Sequence, residues 1–171
     1  MQIITLIAAS GKGSRFGSPK VDALYNGVSF LQMILNTLQD AGLQDCYVLR
    51  DLETPDMLAT IRYGMQRALR DVSLPDGWLI WPVDHPLVKP ATVLALLKDF
   101  AEKRNSVLIP RHQGRNGHPI ILPGSFTIPQ SDNPDGLKGV ISQVHYPIGN
   151  VEVDDAGILV NINTPEDILY V

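Results

Sequence analysis

The sequence predicts an α/β fold with a mostly parallel sheet, on three observations. Strand-length apolar runs alternate with segments of helical period along most of the chain, the pattern that lays helices on the faces of such a sheet. The first run begins at Ile3, ends in small residues and opens into a loop holding Gly11, Gly13 and Gly17. A later run, Gly77 to Val83, leads straight into Asp84-His85-Pro86. At 171 residues, one domain with a sizeable core is the expectation.

The remaining elements follow in order. Ser29 is placed to cap a helix whose Phe30, Leu31, Ile34, Leu35 and Leu38 form one apolar stripe, with Gly42 as its stop. Asp45 to Leu49 reads as the second strand. Pro55 suits the first turn of a helix with Leu58, Ile61, Met65 and Leu69 on one face. Gly64 inside it costs about 1 kcal/mol relative to Ala, which points to a close approach there. A helix from Pro90 carries Val93, Leu96, Leu97 and Phe100, and Ser106 to Pro110 is a strand. A polar loop, Arg111 to Gly117, leads into a strand at His118 to Leu122, and Leu137 to Val144 reads as a short helix. Tyr146 to Val153 and Gly157 to Ile162 read as the last strands, and Thr164-Pro165 starts a terminal helix.

Composition narrows the function. A hydrophobic content of 44% with 19% charged residues describes a globular chain. The net charge of −4 gives no footprint for nucleic acid or an anionic membrane. No run approaches the ~18 apolar residues of a membrane helix, and the Met-Gln start lacks the basic region of a signal peptide. Cys46, the single cysteine, leaves no intramolecular disulfide or cysteine-cluster metal site. Its apolar surroundings predict a buried strand residue, and a cytoplasmic enzyme is the expectation.

Two places carry chemistry. In the first loop, glycines permit positive φ and close backbone approach, and successive N–H groups in such a turn bind anions. Lys12, Arg15 and Lys20 add positive charge, so a polyphosphate is the natural guest; an ordinary turn with solvated basic residues is the alternative. The Walker spacing is absent, and the dinucleotide fingerprint fails because Phe16 stands where its third glycine belongs. Asp84 lies just beyond a buried strand, where open α/β sheets place ligands, and a carboxylate there suits Mg²⁺ bridging to substrate phosphates. A turn aspartate is the alternative. His85 could be a metal ligand or general base, with a pocket-lining or spectator role preferred; His112 and His145 have no motif support, and no histidine pair has zinc spacing.

Four ordered motifs resemble those of the small nucleotidyltransferases that handle molybdenum cofactor, the MobA-like NTP transferases, and of their sugar-phosphate relatives. Ala8-Ala9-Ser10-Gly11-Lys12-Gly13-Ser14-Arg15-Phe16-Gly17-Ser18-Pro19-Lys20 is similar to the family's glycine-rich loop, Val83-Asp84-His85-Pro86 to its strand-end tetrad, and Gly114-Arg115-Asn116-Gly117-His118-Pro119 to its Gly-Arg-x-Gly-His-Pro segment. Asn161-Ile162-Asn163-Thr164-Pro165-Glu166-Asp167 matches its Asp-Ile-Asp-Thr-Pro-Glu-Asp, with asparagine for both leading aspartates. Asp56 to Thr60 keeps little of the family's Gly-Met-Ser-Ser-Ser-like segment, and no role is carried over to it.

The resemblance implies a three-layer Rossmann-like sandwich of the nucleotide-diphospho-sugar transferase type, a single domain over residues 1–171. It implies transfer of a nucleotide from a nucleoside triphosphate to a phosphorylated small-molecule acceptor such as molybdopterin cofactor, with pyrophosphate released. Ala8, Ala9, Ser10, Gly11, Lys12, Gly13, Ser14, Arg15 and Lys20 would bind the nucleotide, and Arg15, Lys20 and Asp84 would be catalytic. Asp84 and Asn163 would hold Mg²⁺, and Gly117 and His118 would face the acceptor. Ser10 stands at a position associated with the choice between cytosine and guanine, and CTP is favoured over GTP. Both asparagines also admit a catalytically weakened nucleotide- or cofactor-binding module, and Asn163 a sugar-phosphate nucleotidyltransferase.

Overall fold

The computed structural model describes residues 1–10 and 20–170. The strands are β1 (Ile3–Ala8), β2 (Leu24–Tyr25), β3 (Val28–Ser29), β4 (Cys46–Leu49), β5 (Gly77–Pro82), β6 (Val107–His112), β7 (Arg115–Asn116), β8 (Ile120–Pro123) and β9 (Ile148–Glu152). The α-helices are α1 (Phe30–Asp40), α2 (Met57–Asp71), α3 (Pro90–Glu102) and α4 (Gly136–Gln143). The main sheet runs β4-β1-β5-β8-β6-β7, with β9 also beside β6. β4, β1, β5, β6 and β9 point one way, β7 and β8 the other.

Side-chain alternation along the strands builds two cores, one on each face of the sheet. Ile3, Ile7, Leu79 and Trp81 pack with Phe30, Ile34 and Leu38 of α1 and Val93, Leu96 and Phe100 of α3. Ile4, Leu6, Trp78 and Ile80 pack with Leu58, Ile61 and Met65 of α2 and Leu137, Val140 and Ile141 of α4. The result is a helix–sheet–helix sandwich, as expected, whose fully apolar central strands are those of a sheet covered on both sides.

Several boundaries differ from expectation, each for a local reason. α2 starts at Met57, not Pro55, because the Asp56 carboxylate accepts a hydrogen bond from the Ala59 N–H at 2.7 Å and caps the helix there. Ala68 takes the next buried position on that helix and turns Leu69, one residue further round, toward solvent at 44% exposure. Cys46 is half-buried, not buried, because β4, among the described residues, lies at the edge of the sheet beside β1; burial still pushes its thiol up to about 11.

The expected loop from Arg111 to Gly117 is a hairpin. β6 runs on to His112, Gln113 and Gly114 take positive φ (48° and 80°), and β7 returns, the two-residue turn whose twist suits paired strands. Gly157 to Ile162 is not a strand. The Asp155 side chain, 2% exposed, accepts hydrogen bonds from the Gly157 N–H, the Lys89 N–H and the Thr92 hydroxyl. That capture winds Ala156–Leu159 into a 3-10 turn on the N-terminus of α3. The terminal helix is likewise 3-10, Pro165–Tyr170.

Gly64 and Gly117 answer to close approaches. A Cβ on Gly64 would lie 2.5 Å from Leu49 Cδ1, so the glycine lets α2 settle on β4. A Cβ on Gly117 would collide with the Ile158 carbonyl, which accepts the His118 N–H at 3.0 Å.

Candidate active site

The connection from β1 to β4 runs through α1 on one face, and that from β4 to β5 through α2 on the other. The winding therefore reverses between β1 and β5, which leaves a crevice at their C-terminal ends where α/β sheets bind ligands. Ala8 and Pro82 are paired in register, so Ala9-Ser10 and Val83-Asp84 leave the sheet side by side. Val83 N–H donates to the Ala8 carbonyl at 3.0 Å and closes the base of that crevice.

The turn that presents Asp84 is pinned from three sides. The Trp81 indole N–H donates to the His85 carbonyl at 3.0 Å. The His85 N–H donates to the Pro82 carbonyl at 3.1 Å, and the Ile162 N–H to the Asp84 carbonyl at 2.9 Å. The last bond draws the C-terminal segment across the crevice and sets Asn163 beside Asp84. The Asp167 carboxylate holds that segment in turn, accepting the N–H groups of Asn163 (2.7 Å) and Thr164 (2.9 Å). Those two bonds lower the Asp167 pKa.

Lys20 closes the cluster. Its Nζ donates to Asn163 Oδ1 at 2.6 Å and to Asp84 Oδ2 at 3.2 Å, with side-chain exposures of 18% for Lys20 and 22% for Asp84. Burial opposes ionisation of Asp84. The hydrogen bond and charge of His85, joined by Lys20, outweigh it and hold the carboxyl below its ordinary range. His85, 7% exposed, places Nδ1 3.0 Å from Asp84 Oδ1. Its ring stands edge-on to His118, with 4.8 Å between centroids. Burial, then the neighbouring His85, pushes the His118 ring down to about 4, so it is neutral near pH 7.

One cation already reaches both the Asp84 carboxylate and the Asn163 amide oxygen. That pair of hard oxygen donors fits a divalent ion that completes its shell with water and phosphate oxygens. Among the described residues no three His, Cys, Asp or Glu side chains converge on a metal position, so a protein-only cage is not what this arrangement offers.

The structure thus brings together Lys20, Asp84 and Asn163, and reaches His118 through His85. Ala8 and Ala9 are buried at the end of β1. The Ser10 hydroxyl hydrogen-bonds that of Thr60 at 2.6 Å, and Thr60 bonds Thr54 at 2.6 Å. Gly11, Lys12, Gly13, Ser14 and Arg15 lie outside the described residues. Sequence reasoning passed over three participants: His85 as the direct partner of Asp84, Trp81 as the clamp on its turn, and Thr60 as the anchor of Ser10. The adjacency of His85 to Asp84 and the apolar setting of Trp81 were the available signals for the first two. Among the described residues no helix is long and apolar enough to cross a membrane.

Comparison with known proteins places these features. Over 185 residues the chain is 24% identical to a probable molybdenum cofactor guanylyltransferase of Geobacillus sp. (strain WCH70), covering 95% of this chain and 94% of that protein. Its fold is similar to that of Rv0371c from Mycobacterium tuberculosis H37Rv, with a TM-score of 0.76, 21% identity and coverage of 99% and 96%. Rv0371c has also been solved in complex with manganese, and that structure matches with a TM-score of 0.70 at 19% identity, covering 99% of this chain and 97% of that one. A nucleotidyl transferase from Methanothermobacter thermautotroptrophicus matches with a TM-score of 0.72 and 22% identity, covering 99% and 95%. The MobA-like NTP transferase domain matches residues 5–145, most of the chain, so the protein belongs to that family and is a nucleotidyltransferase.

Proposed function

We propose that the protein transfers a nucleoside monophosphate from a triphosphate, CTP in preference to GTP, to a phosphorylated small-molecule acceptor such as molybdopterin cofactor. The observation that carries this reading is the convergence of Lys20, Asp84 and Asn163 at the crevice between β1 and β5. An acceptor phosphate oxygen forms a bond to the α-phosphorus, the bond from that phosphorus to the bridging oxygen breaks, and pyrophosphate leaves with the electron pair. Asp84 and Asn163 would hold Mg²⁺, which when bound neutralises phosphate charge and aligns the reacting groups. Lys20 turns its ammonium toward the α-phosphate and the leaving pyrophosphate. The backbone N–H groups of residues 11–17 and Arg15 would hold the β- and γ-phosphates. No protein nucleophile is required, because positioning and electrostatics supply the rate.

His85 fixes the Asp84 carboxylate, and neutral His118 meets the acceptor without adding a competing cation. The base preference rests on Ser10, which stands at a position associated in the resembling family with the choice between cytosine and guanine and whose hydroxyl is tied to Thr60. A single cysteine accords with a reducing, cytoplasmic setting, and we treat residues 1–171 as one domain.

Pyrophosphate release measured with ATP, CTP, GTP and UTP against a panel of phosphorylated acceptors tests the proposal. The expected result is Mg²⁺-dependent release with kcat/KM highest for CTP. A GTP preference overturns the base assignment, and release from no triphosphate overturns the reaction.

A further inference from the structure

We infer that Lys20 is a stopper for the ion position: its ammonium and a divalent ion exclude one another there, so the free ion is kept out until a triphosphate draws the ammonium away. That order rests on the nucleotidyl-transfer reading and adds to it which partner enters first.

Both carboxylate oxygens of Asp84 already have partners. His85 Nδ1 lies 3.0 Å from Oδ1, and Lys20 Nζ lies 3.2 Å from Oδ2. The same ammonium stands 2.6 Å from Asn163 Oδ1. An ion in contact with Asn163 Oδ1, at about 2.1 Å, would stand within about 5 Å of an ammonium held 2.6 Å from that atom. Three positive charges would then share the single negative charge of Asp84. With the Lys20 and Asp84 side chains only 18% and 22% exposed, water screens that repulsion poorly. As it stands, the Lys20–Asp84 pair sums to zero and offers a dication no net attraction.

The frame around the ammonium is fixed. The Ile162 N–H donates to the Asp84 carbonyl, and the Asp167 carboxylate holds the Asn163 N–H. Val21, beside Lys20, is 1% exposed, and the Ala23 N–H donates to the Lys20 carbonyl at 3.1 Å. What can turn is the four-carbon stem of Lys20. A triphosphate offers its ammonium several anionic oxygens in exchange for one carboxylate. Once the ammonium has gone to them, Asp84 keeps its charge for the ion. Phosphate and ion each favour the state that the other binds, and such a linkage is reciprocal. A free ion has instead to displace two hydrogen bonds from a charged donor, and losing even one costs about tenfold in affinity.

Mn²⁺ titration of the full chain without nucleotide, followed by electron paramagnetic resonance, tests the exclusion. Lys20→Met keeps the length of the stem and removes the ammonium, and it is expected to bind Mn²⁺ at least about tenfold more tightly than the parent. Lys20→Gln is expected to do the same, and both variants are checked for a cooperative melt. Lys89→Met removes a like charge whose ammonium donates to the Asp154 carbonyl, and it should shift the affinity by less than about twofold. Adding Asp84→Asn to Lys20→Met is expected to remove the gain. No gain in either Lys20 variant, an equal gain in Lys89→Met, or a gain that survives Asp84→Asn overturns the exclusion. Calorimetric titration of the parent with CTP in EDTA tests the order: binding is expected there, and binding that needs the ion overturns it. Pyrophosphate release by the parent separates these claims from the reaction. A Lys20 gain in a protein that releases no pyrophosphate from any triphosphate upholds the exclusion and removes the reaction. Release without a Lys20 gain upholds the reaction and removes the exclusion.

Discussion

Lys20 Nζ lies 2.6 Å from Asn163 Oδ1 and 3.2 Å from Asp84 Oδ2, so one ammonium spans the two oxygens that a divalent ion would also use. The partly buried carboxylate is balanced by this ammonium, which also stands beside the proposed path of the phosphates. Removing it takes away charge stabilisation that matters most in the transition state. By comparison with loss of a single oxyanion donor, Lys20→Ala is expected to lower kcat by about 10²–10³. Lys20→Arg keeps the charge but replaces the compact ammonium with a larger planar fork, and is expected to restore the rate only in part. Pyrophosphate release under saturating triphosphate measures both.

Asn163 supplies a neutral oxygen at a position where a carboxylate would add charge. Ion affinity in oxygen sites rises with ligand charge, so Asn163→Asp is expected to tighten Mn²⁺ binding at least about tenfold in the absence of nucleotide. Titration followed by electron paramagnetic resonance reads this directly, without turnover. Unchanged affinity would remove residue 163 from the ion site.

Gly117 and Gly64 both face close neighbours, but of different kinds. At Gly117 the obstacle is the Ile158 backbone carbonyl, which cannot step aside, whereas at Gly64 it is the end of the Leu49 side chain. Gly117→Ala is expected to cost about 1–3 kcal/mol, a fall of roughly 2–4 °C in Tm per kcal/mol for a chain of this size. Gly64→Ala gains about 1 kcal/mol in helix propensity, which offsets the shift of Leu49, so its Tm should move less. Thermal unfolding of the two variants gives the comparison.

His118 is buried beside His85, and its ring is pushed down to about 4 from an ordinary value of about 6.5. Between those pH values the unfolded chain binds the proton and the folded chain does not, so stability falls as pH falls through that window. The loss attributable to His118 approaches about 3 kcal/mol once the pH is below 4. His118→Gln should flatten the pH dependence of stability between pH 6.5 and 4. Nuclear magnetic resonance of the ring should show it neutral at pH 6.

Much of this was legible in the chain itself, because it is local or periodic. The alternation of apolar runs located the central strands, and Asp84 and Asn163 stood out by their place in ordered motifs. Other features depend on partners far along the chain. Gly157 to Ile162 has the apolar content of a strand, yet the Asp155 carboxylate binds Gly157, Lys89 and Thr92 and turns the segment before it can pair. The Ser10–Thr60 hydrogen bond spans 50 residues, and nothing in the stretch Asp56 to Thr60 announces it. His85 reads as pocket-lining because the resembling tetrad carries Gln there in much of the family, yet its Nδ1 atom lies 3.0 Å from Asp84. Trp81 reads as core, and it is core, but its indole N–H also clamps the turn that carries Asp84.

The central claim is that Asp84 anchors a nucleotidyl-transfer centre. Single-turnover pyrophosphate release by Asp84→Ala and the parent protein, with Mg²⁺ and saturating CTP and acceptor, tests it most directly. The account predicts a rate at least about 10²-fold lower for the variant. Turnover by Asp84→Ala at the parent rate would contradict it.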